Sequence, residues 1–179
     1  MGGPTRVTVV SRPARGVAVV VAVMVTAVVT GCSARPPVSP DLVRAAGERA
    51  LPLVEKGPGA RFLEPGQQLR CVVRAFGVEP ADATAIDQVT VVYAGATCVV
   101  VAPGVPYDRS TGSQAPVVVH LDTGVVEQPG DGAQFSADID RMFPEELRDR
   151  AADPVPNSDD AAVDAELRSR FAQAQATPH

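Results

Sequence analysis

The sequence has no tryptophan, only 4% aromatic residues, two histidines and few basic side chains. Its 16 Lys and Arg residues stand against 21 Asp and Glu residues, which gives a formal net charge of −5. A nucleic-acid-binding protein needs a basic face, so this balance argues against a nucleic-acid partner. The hydrophobic fraction of 45% is too high for a wholly disordered chain. The length of 179 residues fits one folded domain, or two at most.

The motifs of common catalytic and cofactor sites are also missing. The sequence contains no G-x-G-x-x-G or G-x-x-x-x-G-K phosphate loop and no G-x-S-x-G nucleophile motif. His120 lies in a strand-like segment and His179 is the last residue, and neither has the partners of a catalytic triad. Asp131, Asp138 and Asp140 lack the ligand spacing of a calcium-binding EF-hand loop. We therefore predict no catalytic residue, no metal site and no cofactor.

The first 31 residues have the organisation of an export signal. Arg6, Arg12 and Arg15 precede an apolar run at residues 17–29, which is 13 residues long by its numbering. The apolar part of a signal peptide needs about 7–15 residues, whereas a membrane-spanning helix needs about 20. The length of the run therefore favours a signal peptide over a membrane span.

The apolar run ends in Val29-Thr30-Gly31-Cys32, which resembles the bacterial lipobox. In that motif, small residues give the signal peptidase access to the backbone and the cysteine thiol accepts a diacylglyceryl group. We expect Cys32 to be lipidated and to anchor the chain on the extracytoplasmic face of the cell membrane. The alternative is an ordinary secretory signal that happens to contain a cysteine. Removal of residues 1–31 takes away three Arg residues and no acidic residue, so the mature balance is 13 against 21, or −8.

The two remaining cysteines, Cys71 and Cys98, have one possible pairing. Exported proteins form disulfides, so we predict a structural Cys71–Cys98 bond. Two buried free thiols or a redox pair are the alternatives, although the C-x-x-C spacing that is usual for a redox pair is absent.

Turn and cap residues divide the rest of the chain into short elements. Ser39-Pro40-Asp41 indicates a helix start, because serine favours the N-cap and proline the first helical position. Leu42, Ala46 and Ala50 follow at helical spacing, and Pro52 is expected to kink or shorten this helix. Strands are predicted at residues 69–76, 89–102, 116–121 and 125–128, with a bulge or bend at Gly95 and an exposed loop at 103–114.

The order of these elements indicates the fold class. Consecutive strands on short connections favour an antiparallel sheet. Further helices are predicted from Phe143 to about Ala152 and after Ser158. We predict an α+β fold, with an N-terminal helix packed on a roughly four-stranded antiparallel sheet, one disulfide and C-terminal helices. The predicted divisions are a signal peptide at 1–31, a tether at 32–39, one domain at 40–152, and a linker with a C-terminal helix or tail at 153–179.

Several segments together carry a resemblance to a family. Tyr93-Ala94-x-x-x-Cys98 precedes the strand that begins at Pro116, and Gly130-Asp131-Gly132 precedes Asp138-Ile139-Asp140-Arg141-Met142-Phe143-Pro144. With 15 of the 16 basic residues being arginine, the chain resembles uncharacterised lipoproteins or secreted proteins of actinobacteria. The resemblance covers roughly residues 69–150. It implies no established activity, so no catalytic residue follows from it.

The expected function is that of a non-enzymatic, lipid-anchored envelope protein. Such a module would bind a protein partner or a small ligand outside the cytoplasmic membrane, with its lipid as the membrane contact. Tyr107, in the predicted exposed loop, is a candidate contact for a partner. The alternative is an envelope hydrolase or transferase with a carboxylate-based site, for which Glu145, Glu146, Asp159 and Asp160 are further candidates.

Overall fold

The computed structural model describes residues 38–153 and 160–176. The predicted signal peptide, Cys32 and most of the tether lie outside the described residues, as do Asp159 and His179. Arg35–His179 form one compact unit. Within the described ranges, no helix combines the length and the apolarity that crossing a membrane requires.

A four-stranded antiparallel sheet forms the centre of the fold. The strands are β1 (Gln68–Glu79), β2 (Val91–Val101), β3 (Gly112–His120) and β4 (Val126–Glu127), in the spatial order β1-β2-β3-β4. Each strand pairs antiparallel with its neighbour in sequence. The predicted α+β class is confirmed.

Helix α1 (Pro40–Glu55) covers one face of the sheet. Leu42, Ala46, Ala50 and Val54 recur at helical spacing and are buried in a cluster with side chains of β1, β2 and β3. Gly47 brings the helix backbone directly onto β1, since a Cβ at this position would lie 3.2 Å from the carbonyl oxygen of Val73. The helix continues past Pro52 to Glu55.

The opposite face of the sheet is covered by the C-terminal helices α2 (Phe135–Met142), α3 (Arg148–Ala152) and α4 (Asp160–Ala176). The result is a sheet between two helical layers. One apolar cluster joins α4 to β1 and β2, and its buried members are Val72, Val99, Val101, Val163, Leu167 and Phe171. A second cluster joins α2 and α3 to β2 and β3, and its buried members are Tyr93, Val118, Ile139, Phe143 and Ala151.

The predicted disulfide is confirmed and joins the edge strand β1 to its neighbour β2. Cys71 and Cys98 are register partners in β1 and β2, with their Cα atoms 4.0 Å apart. So short a separation is typical of a pair that exchanges no main-chain hydrogen bonds. The amide of Cys71 therefore points away from β2, toward the outer edge of the sheet.

The irregularity of the sheet lies in a different strand from the predicted one. Gly95 does not mark a bulge, because it pairs regularly with Arg74 on one side and Pro116 on the other. The register shift is in β1, between Ala75 and Gly77. The extra residue is Phe76, whose ring lies 6.2 Å from that of Phe143 between centroids. Packing of this side chain against a distant helix is not visible in the local pattern.

Candidate functional site

The outer edge of β1 is covered by side chains of both helical layers. The Glu55 carboxylate accepts a hydrogen bond from the outward-pointing amide of Cys71 at 3.0 Å and one from Arg170 Nη2 at 2.7 Å. Arg70 Nη1 lies 3.7 Å from the same carboxylate. Glu55 ends α1 and Arg170 belongs to α4, so this cluster connects the two layers around the strand edge. Charged side chains on an edge strand prevent its pairing with another chain.

A groove lies farther along the same edge, between α1 and β1. Its cavity volume is about 710 Å³. Arg74 of β1 and Glu166 of α4 form an ion pair of 2.6 Å on its rim. The other lining residues are two further charged side chains, Arg44 and Glu48, together with Gly47 and the aliphatic side chains of Val38, Pro40, Val43, Leu51, Val73 and Ala75. Because Val38 belongs to the lining, the chain enters the described fold at this groove.

The outer edge of β3 is arranged differently. Among the described residues, β4 is the only strand on this side, and it pairs with Val118 and Val119 alone. The amide of His120 donates to the carbonyl of Val125 at 2.9 Å, so the main chain of His120 points away from β2. Since this direction alternates along a strand, the main-chain groups of Gly112, Gln114 and Pro116 also point outward. No strand of the described part of the chain covers them.

A pocket of about 130 Å³ opens beside this edge, on the face of the sheet that carries α1. We call it the sheet-face pocket. Its floor consists of small and aliphatic side chains of β2 and β3, namely Ala96, Cys98, Val100, Ala115 and Val117. The end of α1 and the following turn form one wall, with Val54, Pro58 and Gly59, and Leu69 of β1 adjoins it. Thr111, Ser113 and Gln128 supply the polar groups, and no charged residue belongs to the lining.

An exposed aromatic side chain stands close to the pocket wall. The 3-10 turn Pro58–Phe62 begins with the two wall residues and ends at Phe62. Phe62 is 86% exposed, whereas other large apolar side chains such as Phe143 and Phe171 are buried. The turn that forms part of the pocket wall therefore ends in an exposed phenyl ring, which is not itself among the lining residues.

The structure gives Tyr107 a role within the fold. Its hydroxyl donates a hydrogen bond of 2.8 Å to Asp164, and its ring makes an edge contact with Phe171 at 5.4 Å. The Arg168 guanidinium lies 4.2 Å from the ring centroid. All three partners belong to α4, so Tyr107 fastens the loop between β2 and β3 to this helix. Burial, followed by the bond to Asp164, raises the pKa of Tyr107 to about 12.

Tyr93 is buried in the cluster with Phe143, and its hydroxyl donates a hydrogen bond to the Glu79 carboxylate. Burial is the largest cause that raises the pKa of Tyr93 far above its usual value of 10.0, and the bond to Glu79 comes next. A carboxylate acceptor favours the protonated phenol, because the phenolate would repel it.

Both tyrosines of the chain should therefore stay protonated when an exposed tyrosine ionises. We expect the folded protein to show little tyrosinate absorbance at pH 10.0, the usual tyrosine pKa, and to show about half of the full absorbance at that pH once urea has unfolded it. Because the pKa of each tyrosine is higher in the folded than in the unfolded protein, the protonated tyrosines contribute to the free energy of unfolding. This contribution is complete below pH 10.0 and is lost as the pH rises toward about 12. Removal of Tyr93 by Tyr93→Phe should leave a single transition near pH 12. Half ionisation of the folded protein at pH 10.0 would contradict the assignment.

The remaining sequence candidates do not assemble into a reactive group. His120 Nε2 lies 2.8 Å from Glu127 Oε1 on the sheet face opposite the pocket. Ser113 is seven residues away on the same strand, which places it roughly 23 Å from His120. Ser110 donates to the carbonyl of Pro106 instead. A nucleophile–base pair needs hydrogen-bond contact, and this serine–histidine separation is too long.

The acidic candidates near α2 are held by local partners. Asp138 accepts hydrogen bonds of 2.9 Å from the Gly130 amide and from Arg141, which hold the pKa of its carboxyl below the usual 3.8. Asp140 lies 3.3 Å from Arg148. A general acid needs a raised pKa, so Asp138 is unsuited to that role. The described residues contain no group of three or more His, Cys, Asp or Glu side chains that could hold a metal ion.

The site that the structure does present was not among the sequence candidates. Its signals were Pro116, which confines a strand to a sheet edge, and the small side chains of Ala96 and Ala115, which leave space above the sheet. No protein family, curated protein or solved structure matches the chain.

Proposed function

We propose that this chain is a lipid-anchored module on the extracytoplasmic face of the cell membrane that binds a partner protein. It would belong with the uncharacterised actinobacterial lipoproteins that its sequence resembles. The observation that carries the binding function is the sheet-face pocket, an uncharged concavity that opens beside an uncovered strand edge. Binding sites combine an apolar cavity with a few polar groups that fix orientation, and this pocket has both.

The proposed anchor precedes α1 in the chain, whereas the pocket wall begins near the end of this helix. Five residues lie between Cys32 and Val38, and a chain over these six residue steps spans at most about 22 Å. Val54, where the pocket wall begins, is 14 residues after Pro40, or about 21 Å along the helix. A lipid on Cys32 would thus hold the beginning of α1 near the bilayer and leave the pocket end accessible to partners. The mature charge of −8 offers no attraction to anionic lipid, so the anchor would act alone.

Metabolic labelling with a radioactive fatty acid tests the anchor. We expect the chain to incorporate the label, and the inhibitor globomycin to block its processing. The Cys32→Ala variant should not be labelled, whereas the neighbouring Ser33→Ala variant should be labelled like the wild type. Label that persists in Cys32→Ala would show that the lipid is attached elsewhere.

Crosslinking in intact cells tests the binding function. We compare the proteins that copurify with the full chain and with Ala115→Leu, which fills the pocket from its floor. A partner that the wild type enriches and Ala115→Leu loses would support the proposal. An identical set of crosslinked proteins from both chains would count against the pocket as the binding surface.

A further inference from the structure

We infer that the sheet-face pocket and the outer edge of β3 form one site, which binds an extended, uncharged peptide segment of a partner as an additional strand. The inference deepens the proposed function and rests on it only in that the module binds a protein. It names the partner's chemistry: free main-chain amides and carbonyls in a strand, and one medium-sized aliphatic side chain at the pocket.

The strand edge supplies the main-chain half of the site. The outward groups of Gly112 and Gln114 comprise two amides and two carbonyls, and the accessible stretch ends before Pro116, which is buried and has no amide. Thr111 to Gln114 are exposed, so a peptide can approach them from solvent. A further strand is the structure whose hydrogen-bonding groups match such an edge. Because Pro116 lacks a donor, the best pairing centres on Gly112 and Gln114.

The pocket supplies the side-chain half. Ser113 and Ala115 face the pocket, so a strand lying beside β3 would direct alternate side chains over it. A cavity near 150 Å³ holds one benzene-sized group, and this pocket has about 130 Å³. It therefore suits one side chain of the size of valine or leucine. Its lining is uncharged, and a carboxylate or ammonium group there would lose its hydration without gaining a partner.

A second copy of this chain is a poorer occupant than a different peptide. Two β3 edges pairing antiparallel about Gln114 would place Ser113 and Ala115 of the second copy over the pocket. These side chains are too small to fill 130 Å³. Gly112 would face the second copy's Pro116, which has no amide to donate, so two of the hydrogen bonds would be missing.

The other sheet edge cannot take this role. The β1 edge is covered by the Glu55–Arg170 cluster and by the close approach of Gly47 to Val73. The contrast between a covered edge and an uncovered edge that adjoins a pocket distinguishes β3 as the binding edge. Phe62, on the turn that forms the pocket wall, adds an exposed apolar contact for the partner.

Peptide binding to the detergent-solubilised full chain tests the inference. The probes are three dye-labelled heptapeptides of alternating threonine and valine, acetylated and amidated, whose central residue is valine, leucine or aspartate. Fluorescence anisotropy should show saturable binding of the valine and leucine peptides, and at least about tenfold weaker binding of the aspartate peptide. A valine peptide with N-methylated amides on its bonding side should also bind at least about tenfold more weakly.

Two variants separate the halves of the site. Gln114→Pro removes an outward amide, and Ala115→Leu fills the pocket. Each substitution should lower the affinity for the valine peptide by about tenfold. Asp82→Ala, in an exposed turn outside this site, should bind like the wild type. If Gln114→Pro fails to fold, as its circular dichroism would show, the N-methylated peptide tests the same hydrogen bonds on the wild-type chain.

Absence of saturable binding to the wild type would overturn the inference. So would equal binding of the N-methylated and unmodified peptides, or a dimer of the full chain that Gln114→Pro abolishes while no peptide binds. The fatty-acid labelling of Cys32 is independent of these measurements. A labelled chain that binds no peptide would therefore refute the strand-addition site and leave the anchor standing, whereas an unlabelled chain that binds the peptides would do the reverse.

Discussion

Replacing both Cys71 and Cys98 by alanine should lower the free energy of unfolding by about 3–4 kcal/mol. The two residues are 27 apart in sequence, and a crosslink across such a loop restricts the unfolded chain far more than the folded one. The folded strands stay paired at this position through the regular register on both sides of the bond. The double substitution should therefore lower the free energy of unfolding without changing the architecture. Urea denaturation of a chain beginning at Ser33 measures this change.

Reduction of the wild type provides the matched control for this prediction. A thiol reductant should bring the unfolding midpoint of the wild type close to that of the double variant and leave the double variant unchanged. A single replacement, Cys71→Ala, should behave like the double variant, because either change opens the loop. A double variant as stable as the oxidised wild type would show that the bond restricts the unfolded chain little.

Local patterns were sufficient for the elements that the chain builds from neighbouring residues. The helical spacing of Leu42, Ala46 and Ala50 predicted both α1 and its buried face. The strands predicted at 116–121 and 125–128 correspond to the β3–β4 hairpin, and Pro116 did not prevent β3 because its nitrogen points away from β2. The expectation of export and the cysteine count were enough to predict the Cys71–Cys98 pair. In each case the information lies within one element or in a pairing that has no competitor.

Features that depend on distant packing could not be predicted in this way. Helix α2 has too short an apolar pattern to be recognised in isolation, and Ile139 becomes core only because it meets Tyr93 and Val118. Tyr107 looked like an exposed contact, since its partners on α4 are 57 and 61 residues later in the chain. The candidate site is itself a consequence of what α1 leaves uncovered on the sheet. Its residues are mostly small and apolar, and no motif marks them.

The two sheet edges show how the fold controls its own contacts. On β1, a carboxylate from one layer and an arginine from the other meet over the strand, and Glu55 takes up the Cys71 amide. On β3, a two-residue strand covers only the end near His120 and leaves the beginning uncovered. Edge strands that stay uncovered risk aggregation, which natural proteins avoid by short strands, charges or proline. Pro116 limits that risk while leaving Gly112 and Gln114 able to pair.

Truncation of the Phe143 side chain should strongly lower the stability of the fold. Its side chain is 2% exposed and lies against the rings of Phe76, at 6.2 Å, and Tyr93, at 5.7 Å. Truncation by Phe143→Ala should lower the free energy of unfolding by about 3–5 kcal/mol, from lost apolar burial and the cavity that remains. Urea denaturation of the chain that begins at Ser33 measures the change.

Phe62→Ala is the matched control, since it makes the same substitution at a side chain that is 86% exposed. It should change the free energy of unfolding by less than about 0.5 kcal/mol. A second, local measurement separates cavity formation from general loosening of the fold. Burial is the largest cause of the raised pKa of Tyr93, so a cavity at Phe143 that admits water should lower that pKa toward 10.0 and leave Tyr107 near 12. Equal destabilisation by the two variants, or an unchanged Tyr93 titration, would mean that Phe143 does not enclose the interior of this cluster.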